Sequence, residues 1–231
     1  AEYSFAFKVF EVATLPLLVV APILIPRFTK LFHSPEIPDT HKVNDLFVLL
    51  RFEIIIASLV ALMLNILWVP VIDFITHGKY GMVNSYTILI LSACMPFLYI
   101  NNFLWTFHFV KGRLKMIFYI FFITFLVNII GDIILIPFFG GEGAAVAYLS
   151  AIIIQFILFW QKTVFPEITK NAAKLLICPV TAFASGALSI FLFSNLWLIA
   201  IFSLFFFFSC LILMRIVRLQ DLTILRRVTG I

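Results

Sequence analysis

The chain has 231 residues, 64% of them hydrophobic and only 12% charged, with a net charge of +5 and a mean hydropathy of +1.17. A water-soluble domain carries about 25% charged residues, so this composition excludes a globule surrounded by water and places the chain in a bilayer. The sixteen Lys and Arg residues fall in short clusters between apolar runs, which excludes the single basic patch of a nucleic-acid binder.

A membrane helix needs about 20 mostly apolar residues, and about seven such runs are read in chain order. The first, span A, covers about 4–29. Lys8 and Glu11 lie three apart and share a helix face, and Pro16, Pro22 and Pro26 each remove a backbone bond and bend the helix. The stretch RFTKLFHSPEIPDTHKVND (27–45) reads as a cytoplasmic linker. Span B, about 46–70, carries Arg51, Ser58 and Asn65 at intervals of seven, one polar stripe that drifts slowly around the helix. Span C, about 86–108, contains Pro96 and the pair Asn101 and Asn102, residue types that bond helices together.

Span D, about 115–137, is rich in Phe over FYIFFITF (118–125) and carries Thr124, Asn128 and Asp132 at intervals of four on one face. Pro137 is expected to end it, and GGEG (140–143) to turn the chain. No strand precedes this glycine cluster and no Lys-Ser/Thr follows it, so a phosphate-binding loop is excluded by context. Span E, about 143–162, opens with Gly143, Ala147 and Ala151, a stripe of small residues that lets two helices approach closely. Spans D and E are therefore expected to form an antiparallel hairpin, and spans F (about 174–193) and G (about 196–214) follow.

Helix is the only spanning structure these runs allow. Backbone groups in lipid must be satisfied within the segment, and the strict alternation of barrel strands is missing. The Lys and Arg positions alternate in side. Fourteen of the sixteen fall beside the A–B, C–D and E–F connections or in the C-terminal tail; Lys8 and Lys79 fall on the other side. The positive-inside rule then puts the first residue outside and the C-terminus in the cytoplasm. The first residue is Ala and no signal-peptide pattern precedes span A, so the sequence is expected to begin inside a longer protein.

Ionisable groups at membrane depth are costly and usually front a wet interior. Asp132 lies five residues from Pro137, about 7–8 Å from the outer end at the helical rise, and Lys8 is about as deep. Lys8, Glu11 and Asp132 are expected to line the outer half of one polar cavity, with Asn128 near the midplane. Arg51 lies close to the cytoplasmic interface. No histidine pair has metal-ligand spacing, Cys94, Cys178 and Cys210 all sit in apolar runs, and no nucleophile or loop carboxylate pair of an enzyme is present. Neither a metal nor another cofactor is expected.

In order, the segments YSFAFKVFE, a run ending IPRF, YGMVNSYTILILSACMPFLYINN, GRLK and N-x-x-x-D-x-x-LIPFFGGEGAAVAYL resemble the C-terminal half of polysaccharide flippases. These O-antigen and lipid-linked oligosaccharide carriers belong to the multidrug/oligosaccharidyl-lipid/polysaccharide exporter superfamily. The matching positions are Tyr3, Ala6, Pro26, Arg27, Asn128, Pro137, Gly140, Gly143, Ala144 and Ala145; Asp132 stands where the family often has a second Asn. The resemblance implies an all-α integral membrane bundle that is half of a two-bundle exporter. Residues 1–165 would be the C-terminal bundle, five spans without its first helix, and residues 166–231 two extra helices with a basic cytoplasmic tail.

The same resemblance implies flipping of a polyprenyl-pyrophosphate-linked oligosaccharide across the bacterial inner membrane by alternating access, for lipopolysaccharide or other cell-surface polysaccharide. Lys8, Glu11, Arg51, Asn128 and Asp132 would meet the substrate, with Pro26, Pro137, Gly140, Gly143 and Ala147 shaping the helices. Transport would be coupled to H⁺ or Na⁺ and would need the missing N-terminal bundle. The rival readings are a small-molecule exporter of the same superfamily, a seven-helix receptor, and a membrane-embedded glycan ligase or acyltransferase, the last weakened by short outer loops.

Overall fold

The computed structural model describes residues 2–33, 39–163 and 166–216. The chain is an all-α membrane bundle: α1 (Glu2–Ala13), α2 (Leu15–His33), α3 (Asp39–Thr76), α4 (Ser85–Val110), α5 (Leu114–Lys162), α6 (Pro166–Leu192) and α7 (Leu196–Leu213). Among the described residues, five helices are long and apolar enough to cross a membrane. One of the five, α5, is 49 residues long and folds back on itself at Gly140, whose φ of 56° and ψ of −128° are not helical. That backbone region is open to glycine and strained for other residues. Pro137 lies inside the helix three residues earlier, so the turn is made by Gly140 and not by the proline.

The two arms of α5 touch at two levels. A Cβ on Gly131 would stand 2.8 Å from the Ala147 Cβ, and one on Gly143 would stand 2.5 Å from the Leu135 carbonyl oxygen. Both pairs of numbers have the same sum, as antiparallel arms require. Small residues permit this approach, which in lipid is the main source of helix–helix attraction.

Span A departs from expectation. It is two helices, broken at Thr14. Pro16 has no N–H for the carbonyl four residues back, and its ring crowds that carbonyl. The chain closes α1 with Thr14 N–H bonds to Phe10 and Glu11 and restarts with Leu17 N–H on Thr14 O. At twelve residues, α1 is about 18 Å long, shorter than the bilayer core. Pro22 and Pro26, by contrast, sit inside α2, which continues to His33. Pro26 therefore does not end its helix. The 27–45 linker is likewise largely helical, with α2 running to His33 and α3 starting at Asp39; only 34–38 lie outside the described residues. Pro166 opens α6 earlier than expected, at the first-turn position where proline costs least. The side chains of 164–174 and the whole tail 217–231, with Arg218, Arg226 and Arg227, lie outside the described residues.

The helices pack in two apolar clusters. Phe28, Leu50, Ile54, Phe103, Phe107, Phe159 and Phe207 join α2, α3, α4, α5 and α7 towards one end. Ala6, Phe10, Ala61, Trp68, Leu91, Met95 and Ala145 join α1, α3, α4 and α5 towards the other. The first end is basic. Arg51 Nη1 donates to Ile216 O at 2.9 Å, and Arg113 Nη1 donates to Lys162 O at 3.3 Å. Lys111 lies over the Phe107 ring at 4.3 Å and the Phe32 ring at 4.9 Å. Partial burial, with the Arg113 charge added, pulls its ammonium below the usual lysine value. His108 is buried beside them, stacked on Phe159 and hydrogen-bonded through Nε2 to Thr163 Oγ1 at 3.1 Å.

The opposite end carries the turns. Asp73 at the end of α3 accepts from the Gly81 N–H at 2.7 Å and the Met82 N–H at 3.1 Å, and Trp68 Nε1 donates to Gly81 O at 2.8 Å. His77 and Gly78 take positive φ to make the bend. Asn195 caps α7 by accepting from the Trp197 N–H at 2.9 Å.

Candidate functional site

Polar residues lie within several of the described helices. On the first arm of α5, Asn128 Nδ2 donates to Asp132 Oδ2 at 3.2 Å, the pairing that a spacing of four allows. Asn128 Oδ1 is buried and has no partner. Both residues are half-buried, on a helix whose Phe118, Phe122, Phe125 and Ile133 are exposed. Asp132 is close enough to Tyr3 of α1 for its charge to act on that ring. Tyr3 in turn sits against Gly141, where an added Cβ would be 2.9 Å from the Tyr3 Cβ. Phe7 and Phe10 of α1 meet Tyr148 of the second arm edge-on, at 5.8 and 6.1 Å. The Tyr3–Gly141 approach and the Phe7–Tyr148 contact form a seam between α1 and α5, with Asp132 near enough for its charge to reach Tyr3.

Above the seam, at the turn end, a polar pocket of about 390 Å³ opens between the start of α1, the residues before α4 and the α5 turn. Glu2, Tyr3, Asn84, Thr87 and Glu142 supply its polar wall, and Phe139 its apolar one. Asn84 and Thr87 are buried, and Asn84 Nδ2 donates to Tyr80 O at 3.0 Å. Carboxylate, amide, hydroxyl and aromatic faces together suit a polyhydroxylated or cationic group. The wall has two carboxylates and no basic side chain.

Lys8 and Glu11 lie on α1 but bond to each other, Nζ to Oε2 at 2.7 Å, as an exposed pair with the Lys8 side chain 76% accessible. Among the described residues no ion pair joins Lys8 to Asp132. Arg51 is at the opposite, basic end, over the Phe47 ring at 4.7 Å. The seven-residue stripe is not a wet face: Ser58 is fully buried and donates to Ile54 O, and Asn65 Nδ2 donates to Ala61 O and to Ser92 Oγ of α4. Asn101 Nδ2 ties α4 to Ile152 O at 3.0 Å.

Three features escaped the sequence reading. The pocket residues Glu2, Asn84 and Glu142 come from distant segments that only the fold assembles. Tyr148 lies inside an apolar run, where an aromatic residue reads as core. Glu53 stands two residues after Arg51, and a carboxylate within span B is itself a signal. Among the described residues no group of three His, Cys, Asp or Glu side chains is placed to hold a metal ion.

No protein-family model matches the chain, and no curated protein sequence matches it. Among solved structures it is similar to a lipid II flippase, MurJ, in an inward closed conformation, with a TM-score of 0.66 and 18% identity. The match covers 91% of this chain and 47% of that one, so the chain spans about half the length of the structure it matches. At that identity the likeness establishes the fold.

Proposed function

We propose that this chain is one helical bundle of a flippase that moves a polyprenyl-pyrophosphate-linked oligosaccharide across the membrane for cell-surface polysaccharide synthesis. The observation that carries the reading is the polar seam of Tyr3, Asn128 and Asp132 leading from a polar pocket into a bundle folded like half of a lipid II flippase. A glycan needs a hydrated wall of hydroxyls, amides and carboxylates, and its lipid tail needs an apolar flank. The chain offers both: the polar pocket, and an apolar groove of about 380 Å³ between α1 and α3 lined by Val9, Ala13, Val60, Leu64 and Val71.

In this reading a second bundle of the same protein closes the cavity, and alternating access is movement of one bundle against the other. Asp132, braced by Asn128, takes H⁺ or Na⁺ and biases the two states. Glu11 supplies a second carboxylate on the neighbouring helix. Lys8 and Arg51 sit at opposite ends of the bundle, where each can meet a pyrophosphate on one side of the membrane. The first residue lies outside and the basic end faces the cytoplasm of a bacterial inner membrane.

The test is reconstitution of the full-length gene product with a fluorescent polyprenyl-pyrophosphate oligosaccharide in liposomes. Exposure of the sugar to an external quencher should accelerate with the protein and fall at least about tenfold in Asp132→Asn, a loss of about 1.4 kcal/mol. Failure to move the lipid-linked sugar, or movement of soluble cationic drugs in its place, contradicts the proposal.

A further inference from the structure

Glu53 lies near the middle of α3, two residues from Arg51 and so about 200° around the helix from it. It is 4% exposed, and neither carboxylate oxygen has a hydrogen-bond partner. Leu49, Leu50 and Ala57, three or four residues away on its own face, are buried and aliphatic. On α4, which packs against α3, Tyr99 is a titratable group within range of the Glu53 charge. Tyr99 is fully buried, and its hydroxyl has no partner either. Three residues further along α4, Asn102 also carries a buried amide nitrogen without a partner.

Among the described residues, the charged and titratable groups named next on the helices around α3 are engaged or lie towards the ends of the bundle. Arg51 is bonded to Ile216 O, and Cys178 of α6 lies on the Arg51 side. His108 of α4 is bonded to Thr163 at the basic end, and Asp73 is bonded to Gly81 and Met82 at the far end of α3. Cys210 of α7 is half-buried, and Arg215 follows that helix at the basic end.

An ionised carboxylate without a donor is among the costliest groups to place inside a membrane bundle. A metal cation would need several oxygen ligands around it, and the aliphatic face of α3 offers none. A single proton removes the charge, which is the larger part of the cost. We propose that Glu53 is a proton-binding site in the interior of the bundle, occupied as the neutral acid in this packing of α3 against α4. The step is proton transfer between water and the carboxylate, with no other bond changed. On losing its proton the anion finds its donors across the interface, in the Tyr99 hydroxyl and the Asn102 amide. Release of the proton therefore favours a different pairing of α3 with α4. The proposal does not depend on the substrate assigned above.

The experiment uses the reconstituted full-length protein and dicyclohexylcarbodiimide, a membrane-permeant reagent that modifies protonated carboxyls. Peptide mass spectrometry should find Glu53 modified at about pH 7 while the exposed Glu2, Glu11 and Glu142 are not. Added Na⁺ should leave the yield unchanged. Glu53→Gln, a shape mimic of the neutral acid, should keep the wild-type melting temperature at about pH 5 and exceed it at about pH 9. An unmodified Glu53, suppression of the adduct by Na⁺, or a Glu53→Gln melting temperature below wild type at both pH values would each overturn the proposal.

Discussion

Gly143→Ala sets two physical effects against each other. Replacing glycine inside a helix gains about 1 kcal/mol from backbone entropy, so propensity alone predicts a more stable protein. Packing predicts the opposite. The added methyl carbon would stand 2.5 Å from the Leu135 carbonyl oxygen, 2.7 Å from its carbon and 3.1 Å from the Ile136 nitrogen. These are backbone atoms of a hydrogen-bonded helix, which cannot rotate aside as a side chain can. Relief requires the two arms of α5 to separate, and overpacking of this kind costs about 1–3 kcal/mol. Because the obstacle is a peptide group that cannot rotate away, the upper figure applies, leaving a net loss of about 2 kcal/mol. For a chain of this length that is a fall in melting temperature of about 4–8 °C. Gly186→Ala is the internal contrast. There the new carbon meets only the flexible end of Leu62, at 3.0 Å, and the variant should match or slightly exceed wild type. Fluorescence-monitored thermal unfolding in detergent at a single scan rate measures both. A Gly143→Ala protein as stable as Gly186→Ala would refute the close approach of the two arms.

Asp73→Ala removes the acceptor of two backbone N–H groups, and should cost about 2 kcal/mol and open the 77–84 loop to limited proteolysis. Asn65→Leu severs the side-chain bond between α3 and α4, and should lower stability by about 1 kcal/mol, read as a shifted melting temperature. Lys8→Ala breaks an exposed pair only, so its melting temperature should stay within about 2 °C of wild type.

The α5 hairpin was legible because its signals are local. A glycine cluster and a small-residue stripe lie next to each other and act on backbone close to themselves, whereas Pro137, expected to end the span, lies inside the helix. The break at Thr14 was less so. Pro16, Pro22 and Pro26 look alike in sequence, yet only the first interrupts its helix. Whether a freed carbonyl is tolerated depends on what packs beside it. The helical start of α3 was hidden by Asp39, His41, Lys42 and Asn44, polar residues that read as a loop wherever apolar runs are the guide. For the site, the Asn128–Asp132 pair follows from a spacing of four on one helix. The exposure of Lys8, the capture of Arg51 by Ile216 and the solitude of Glu53 all depend on residues far away in the chain, to which periodicity is blind.

In the proposed flippase the first arm of α5 turns Asn128 and Asp132 towards a water-filled cavity shared with the second bundle, and its phenylalanines towards lipid. Single cysteines at 128, 132, 125 and 133, in a full-length protein with Cys94, Cys178 and Cys210 replaced, can be exposed to a membrane-impermeant thiol reagent in intact membranes. Modification is expected at 128 and 132, with protection at 125 and 133. Equal protection at all four positions would rule out a wet face on this arm.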